Sequence, residues 1–365
     1  MDFDNIHVVT KPTEKLLTDK QLMDYRQERE AFIRWLLAFG KKPRENKGYS
    51  TSTVRNTAAR TDRFFRWVWE QEGYKRSVTH AHADEYIKET AYGDWTNNHK
   101  ANTQKAIKRY FKWLAHERGG EEWETQYTFT TDSATAPRDY LTLEERRKIR
   151  EAALDFGSIP TYQNLSKRER DEWKAYLAQL IGKPKSEVTR EDWSKANGWK
   201  YTSLTWTSLD AALRPIEVER AKTTWVDVEN QVLRIPKEES SKNEGNWIVS
   251  LTDRTAMALE HWLEERQLYD QYDGTDALWL TRQGNPYQSN SLRYILKRLF
   301  ETAGIPTENR KISWYAIRHS TGTYMTAEND LAAAQTQLRH KSELTTMKYD
   351  QTPVEDRRDA LNRMG

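Results

Sequence analysis

Residues 312–349 read ISWYAIRHSTGTYMTAENDLAAAQTQLRHKSELTTMKY, and the rest of the chain is most readily understood from this stretch. Arg318 lies inside a short helical pattern of apolar and polar residues. His340 follows later, and Tyr349 stands nine positions after it in a Thr-rich segment. Together these groups suit a phenol attacking a phosphodiester while cationic donors hold the developing charge. Further cations must come from elsewhere in the chain.

At 365 residues the chain exceeds the usual size of one hydrophobic core, so two domains are expected. Charged residues make up 31% of it and mean hydropathy is −0.98, a balance that on its own would suggest disorder. Fifteen Trp, eighteen Tyr and nine Phe at helical spacing argue for a buried core instead. The 58 Lys and Arg against 55 Asp and Glu give only +3, so the placement of charge matters more than its sum. The absence of cysteine excludes disulfides, thiolate zinc sites and Cys nucleophiles. His80 and His82 have no third clustered ligand, so no metal site is expected. No apolar run is long enough to span a membrane, and the start MDFDNIHVVTKP lacks a signal pattern. A cytoplasmic protein with no membrane partner is the expectation.

Residues 14–119 carry a loose threefold pattern. Phe32 to Gly40, Phe65 to Gly73 and Phe111 to Gly119 each place an aromatic eight residues before a glycine, with a Trp between. Each reads as the end of an amphipathic helix closed by a glycine cap. Ser52-Thr53 and Asn102-Thr103 are the expected N-caps. Residues 41–76 hold ten Lys and Arg against four Asp and Glu, and residues 98–118 hold six against one. Such faces suit phosphate, although a charged helix face is also ordinary solvated surface. Arg55, Arg63, Lys105, Lys108 and Arg109 are the candidate phosphate contacts. A helical domain over 1–125 is expected, followed by an aperiodic linker at 126–138.

Helix returns after Tyr140 with Thr142 as N-cap and acidic residues in the first turn. The charged stretch around 155–200 reads as a helical insertion, and its GKPKS lacks the glycine spacing of a phosphate loop. Tyr201 to Ala221 reads as one apolar helix with Leu209, Ala212 and Ile216 on the buried face and Arg214 interrupting it. TWVDVE, QVLRIP and NWIVSL then alternate with period two, as short strands do. Helices are expected again at 254–269 and 289–303. The expected class is mainly α with a small antiparallel β-sheet: a helical domain plus an α+β domain over 139–365 that ends in a tail at 353–365.

The second domain resembles the catalytic domain of the tyrosine recombinases, or phage-type integrases, and residues 14–125 resemble their core-binding domain. Four motifs carry the resemblance, in the family's order. The first is LDAALRPIEVERA, with Arg214 and Glu217 matching an arginine followed three residues later by an acidic group. The second is a lysine on a β-hairpin, matched by Lys242 or, failing it, Lys237. The third is the family's His-x-x-Arg, here Tyr315-Ala-Ile-Arg318 followed by His319. The fourth is LRHKSELTTMKY, with His340 and Tyr349.

The resemblance implies Arg214, Lys242, Tyr315, Arg318, His340 and Tyr349 as catalytic residues, supported by Glu217 and His319. The chemistry accounts for the residue types. A phenol with a pKa near ~10 needs a cationic site or a proton acceptor to attack at neutral pH. Planar guanidinium groups grip the non-bridging oxygens, and a mobile lysine protonates the leaving 5′ oxygen. Tyr315 can donate a hydrogen bond to phosphate but lacks a histidine's proton exchange near pH 7, a duty open to His319.

A site-specific recombinase or integrase acting through a 3′-phosphotyrosyl link follows as the expectation, with neither metal nor nucleotide cofactor. It would serve a virus, plasmid or other mobile element. Its expected partners are double-stranded DNA with inverted half-sites, further copies of the chain up to a tetramer at synapsis, and an accessory DNA-bending protein. Two alternatives stay open: a catalytically impaired DNA-binding accessory factor of the same fold, for which Tyr315 speaks, and a relaxing or resolving enzyme with the same cleavage step.

Overall fold

In the computed structural model, residues 3, 6–129, 139–241 and 245–365 are described. The chain divides into two compact units, Met1–Thr135 and Ala136–Gly365.

The first unit is helical: α1 Lys11–Leu16, α2 Asp19–Ala38, α3 Thr51–Glu72, α4 His80–Tyr92 and α5 Asn97–Arg118. Packing of α3 on α5, with α2 and α4 beside them, buries Phe32, Ile33, Phe64, Phe65, Tyr110, Phe111 and Trp113. Apolar residues at helical spacing supply this face, and the many aromatics explain how so charged a sequence closes a core. Asp62 is wholly buried yet accepts from Thr13 Oγ1 at 2.7 Å and Tyr25 Oη at 3.1 Å.

Gly73 and Gly119 close their helices with φ of 75° and 66°, but Gly40 does not take a left-handed φ. There the requirement is close approach, because a Cβ would stand 2.9 Å from Leu36 Cα and from Tyr49 Cδ2. Both expected N-caps lie too far along the chain. The residue capping α3 is Ser50, and α5 begins at Asn97 behind Thr96, whose hydroxyl accepts from the His99 amide at 3.3 Å. Thr103 instead lies buried within α5. His82 closes a capping box with Thr79. No metal-ligating cluster occurs among the described residues, and no described helix is long and apolar enough to cross a membrane.

Tyr127 and Phe129 pack against this first core, and residues 130–138 of the expected linker lie outside the described residues.

The second unit is assembled around a buried helix. Its elements are α6 Leu143–Asp155, α7 Lys167–Ile181, α8 Arg190–Lys195, α9 Trp199–Ala211, α10 Pro215–Arg220, β1 Val226–Asp227, β2 Val232–Ile235 and β3 Trp247–Ser250. These are followed by α11 Asp253–Arg266, α12 Ser289–Thr302, α13 Tyr315–Glu328, α14 Leu331–Leu338, α15 Glu343–Thr346 and α16 Val354–Met364. Thr142 caps α6 in a box with Glu145, as its sequence predicts. The central α9 packs against α6, α11 and α13. Its hydroxyl residues Thr202, Ser203, Thr205, Thr207 and Ser208 are buried with its leucines, because small side chains let neighbouring helices approach.

The expected single helix over 201–221 is two helices. Ala212 takes a left-handed φ of 49°, Pro215 starts α10, and Arg214 becomes the residue before it. Proline cannot continue a helix but is preorganised for its first turn. Leu209 and Ala212 are buried as expected, whereas Ile216 is only partly so.

The strands form one antiparallel sheet in the order β1-β2-β3. Register places Leu233 opposite Val249 and Arg234 opposite Ile248, so Leu233, Ile235 and Val249 enter the core while Arg234 and Ile248 face out. Within 155–200, α7 and α8 close a small core of Ile159, Trp173, Leu177, Val188 and Trp193 that touches Tyr269. No residue of α16 is buried, although Glu355 accepts from Tyr324 Oη at 2.7 Å.

Candidate active site

Two segments remote in sequence, 211–217 and 315–349, converge on one cluster in the second unit. Arg318 projects from α13, and only 2% of it is exposed. Its Nη1 donates to the Ala212 carbonyl at 2.6 Å, its Nη2 to the Leu338 carbonyl, and Nη2 meets His340 Nε2 at 3.0 Å. His340 Nδ1 lies 2.9 Å from Thr346 Oγ1, which fixes the imidazole between α13 and α15. Burial presses the Arg318 guanidinium below its ordinary range, and Arg339 and Arg214 add to the effect while Glu217 opposes it.

Arg214 stands at the start of α10, where its backbone N–H and its Nη1 both donate to Glu217, at 2.8 and 2.7 Å. Glu217 is buried, and burial alone would raise its pKa. Arg339 and Arg214 outweigh that and hold the carboxyl well below the usual carboxylate range. Three guanidinium cations around one carboxylate leave the cluster two positive charges in excess. A phosphodiester is the kind of anion such a surplus attracts.

Tyr349 closes the site. Its ring stacks on His340 at 5.7 Å between centroids and lies 5.4 Å from that of His319, which in turn stacks with Tyr315 at 6.2 Å. The ring rests on α13 because Gly322 leaves room for it. A Cβ there would fall 2.6 Å from Tyr349 Cδ1 and 2.9 Å from Leu338 Cδ1. Tyr315 is the outermost of these rings, with 40% of its surface exposed.

The structure thus brings together Arg214, Glu217, Arg318, His340, Tyr349 and His319, with Tyr315 reaching the group through His319. Lys242 lies outside the described residues. Lys237 is exposed at the end of β2, where its backbone N–H donates to Asn246 Oδ1 at 2.8 Å.

Arg339 was passed over by the motif reading. It ends α14 with φ 55° and ψ 52°, and its guanidinium donates to Glu217 Oε2 at 2.6 Å and to the carbonyls of Ala211, Ala212 and Gln337 at 2.6, 3.1 and 2.8 Å. An arginine adjoining His340 was its only sequence signal. Gln337 ties α14 to the sheet by exchanging hydrogen bonds with Ser250.

In the first unit the candidate phosphate contacts are spread over several faces. Arg109 donates to Thr57 Oγ1 at 2.9 Å and stacks on Tyr49. It shares a cleft of about 230 Å³ with Thr53, Asn56, Arg60 and Asn102, none of which the sequence marked as a phosphate contact. Arg63 lies over the Trp95 ring in a separate cleft of about 440 Å³ that also includes His99. Lys105 and Lys108 are exposed on α5, and helical periodicity puts Arg55 on the other flank of α3 from Thr53 and Arg60.

Residues 187–355 match the model of the phage integrase family. No curated protein matches the chain. Among solved structures, the XerH site-specific recombinase bound to palindromic difH substrate, a post-cleavage complex, aligns with a TM-score of 0.56 and 17% identity, covering 98% of this chain and 91% of that one. The Tn1549 transposon integrase in complex with circular intermediate DNA aligns with a TM-score of 0.52 and 15% identity, over 90% of this chain and 98% of that one. A lambda integrase dimer bound to a COC′ core site gives 0.52 and 12%, over 87% and 94%. From these matches and the four motifs in their order, the chain carries a phage integrase family domain on the fold of the tyrosine recombinases.

Proposed function

We propose that this protein cuts and rejoins DNA at specific sites through a covalent bond between Tyr349 and a 3′ phosphate. The observation that carries the reading is the convergence of Arg318, His340 and Tyr349 beside the Arg214–Glu217 pair, which lies a hundred residues or more before them in sequence. Arg214 and Arg318 hold the non-bridging oxygens and stabilise the charge of the five-coordinate transition state. The Tyr349 oxygen attacks phosphorus, the bond to the 5′ oxygen breaks, and that oxygen takes a proton from a lysine of the β2–β3 turn. Attack by a 5′ hydroxyl reverses the steps, so rejoining needs no nucleotide.

The basic faces of α3 and α5 grip the duplex, with Arg60 and Arg109 on phosphate and the neighbouring Asn56 and Asn102 as candidate base contacts. Solved neighbours of the same fold are complexes with DNA, which supports a DNA substrate for this chain as well. Inverted half-sites, a tetramer at synapsis and service to a mobile element belong to the same reading.

The test is incubation with a nicked duplex carrying the native site, followed by denaturing electrophoresis. A covalent adduct is expected, absent in Tyr349→Phe. Binding without an adduct would instead favour an inactive accessory factor, the reading that the exposed Tyr315 in place of the family's histidine supports.

A further inference from the structure

We infer that Arg339 is a positioning residue: it holds the Glu217 carboxylate and pins two left-handed turns together, so that Arg214 and Arg318 stay aimed at the substrate phosphate. The inference rests on the reading of the site given above and adds to it a residue that the four motifs do not contain.

The backbone supplies the first observation. At the end of α14 the His340 N–H bonds to the Gln335 carbonyl at 3.0 Å and the Arg339 N–H to the Thr336 carbonyl at 3.0 Å, the paired closure that places its hinge residue in the left-handed region. Glycine is the usual occupant of such a turn. An arginine with φ 55° is strained by roughly 1 kcal/mol relative to glycine. The side chain must therefore contribute something that glycine cannot.

Its contacts show what. The Arg339 guanidinium, buried to 1% exposure, bridges Glu217 to the carbonyls of Ala211, Ala212 and Gln337. Ala212 is itself left-handed, and its carbonyl also accepts from Arg318. Two arginines thus cross-link the same two turns, the one before Arg214 and the one before His340. The two guanidinium groups share Glu217: Oε1 accepts from Arg214 Nη1 at 2.7 Å and more loosely from Arg339 Nε at 3.4 Å, while Oε2 accepts from Arg339 Nη2 at 2.6 Å and from the Arg214 N–H at 2.8 Å. Without Arg339, both oxygens turn to Arg214, and a fork-to-fork pair draws that guanidinium away from phosphate. The Ala212 turn is loosened at the same time, and with it the Arg318 side chain.

The experiment compares the parent protein with Arg339→Gly and Arg339→Lys. Adduct formation on the nicked duplex is followed under single turnover at saturating DNA, and thermal midpoints are taken with and without inorganic phosphate. Arg339→Gly relieves the backbone strain but breaks a buried ion pair, so a merely structural role predicts a shifted thermal midpoint with the adduct rate and the phosphate response unchanged. The positioning role predicts adduct formation 10- to 100-fold slower at unchanged duplex affinity, together with loss of the rise in midpoint that phosphate gives the parent. Lysine keeps the charge without the fork and should restore part of both. An Arg339→Gly protein within twofold of the parent rate overturns the inference. Should that variant fail to fold, an Arg339→Lys protein with the parental rate and phosphate response overturns it equally. If the parent forms no adduct, the Tyr349 reading fails alone, and phosphate still decides. A parental response lost in Arg339→Gly sustains the positioning role, a response kept there refutes it, and no response in the parent refutes both.

Discussion

Glu217 and Glu265 are two buried carboxylates of the same unit with opposite fates. Glu217 sits among arginines and stays ionised far below the ordinary range. Glu265, on α11, is completely buried beneath the start of α9, where it accepts from the Trp199 N–H at 2.6 Å and Tyr269 Oη at 2.8 Å. Burial dominates there and pushes its pKa up to about 7, against those hydrogen bonds and Lys200. Burial alone therefore does not mark a site. What distinguishes Glu217 is a group of cations in excess of its own charge, an arrangement an anionic substrate can complete, whereas Glu265 has an environment satisfied by a proton.

The largest expected effect comes from breaking the first member of the pair. Glu217→Gln leaves buried guanidinium groups without their counter-charge, so urea unfolding at pH 7 should show a loss of about 3–5 kcal/mol, with no adduct formed. That difference should narrow as pH falls below about 4.5, because Glu217 favours the folded state above its unfolded pKa and this advantage fades on acidification. A gap independent of pH would mean that the ion pairs contribute little.

Glu265 should behave in the opposite sense. Between about 4.5 and about 7 the folded protein keeps a proton that the unfolded chain has lost, so stability falls as pH rises through that window and levels off above it. The loss is of order 3 kcal/mol by the size of the shift. Glu265→Gln should remove the slope, matching the parent near pH 4.5 and exceeding it at pH 8. Parallel urea curves for the two proteins across this range would sink the assignment.

Smaller effects should come from the glycines that make room for each region. Gly322→Ala places a methyl group against the Tyr349 ring and should slow adduct formation by roughly tenfold, or about 1.4 kcal/mol, with the fold retained. Gly198→Ala sets its Cβ 2.8 Å from Glu265 Oε1, the free end of a side chain, and should cost about 1 kcal/mol of stability through the hydrogen bond that this oxygen accepts from Tyr269. Adduct rate should be unchanged in that variant, and a decrease equal to that of Gly322→Ala would show the two regions to be coupled.

Much of this was legible in the sequence because it depends on local pattern. Period-two runs gave the three strands, Thr142 with Glu145 marked the start of α6, and motif spacing picked out Arg214, Arg318, His340 and Tyr349, which the fold brings side by side. The errors arose where tertiary context or backbone conformation decides. The break at Ala212 was hidden in an apolar run although Pro215 pointed to it, and Thr96 rather than Asn102 capped α5. Arg339 was invisible because its role depends on a left-handed turn and on Glu217, 122 positions away in sequence. The burial of Glu265 was not legible either, since nothing local announces that Gly198 and Trp199 will cover it.

The seat of Tyr349 against Gly322 has a thermal consequence. A nucleophile on a loose segment would lose its rotational freedom only as the substrate docks, and cleavage would carry that unfavourable activation entropy. Here the ring is already held between α13 and the His340 imidazole, so about 1 kcal/mol of side-chain entropy has been given up during folding. Cooling should consequently slow the chemical step through its enthalpy barrier with little further entropic penalty, and a ring released by enlarging residue 322 should show its deficit chiefly in the intercept of an Eyring plot.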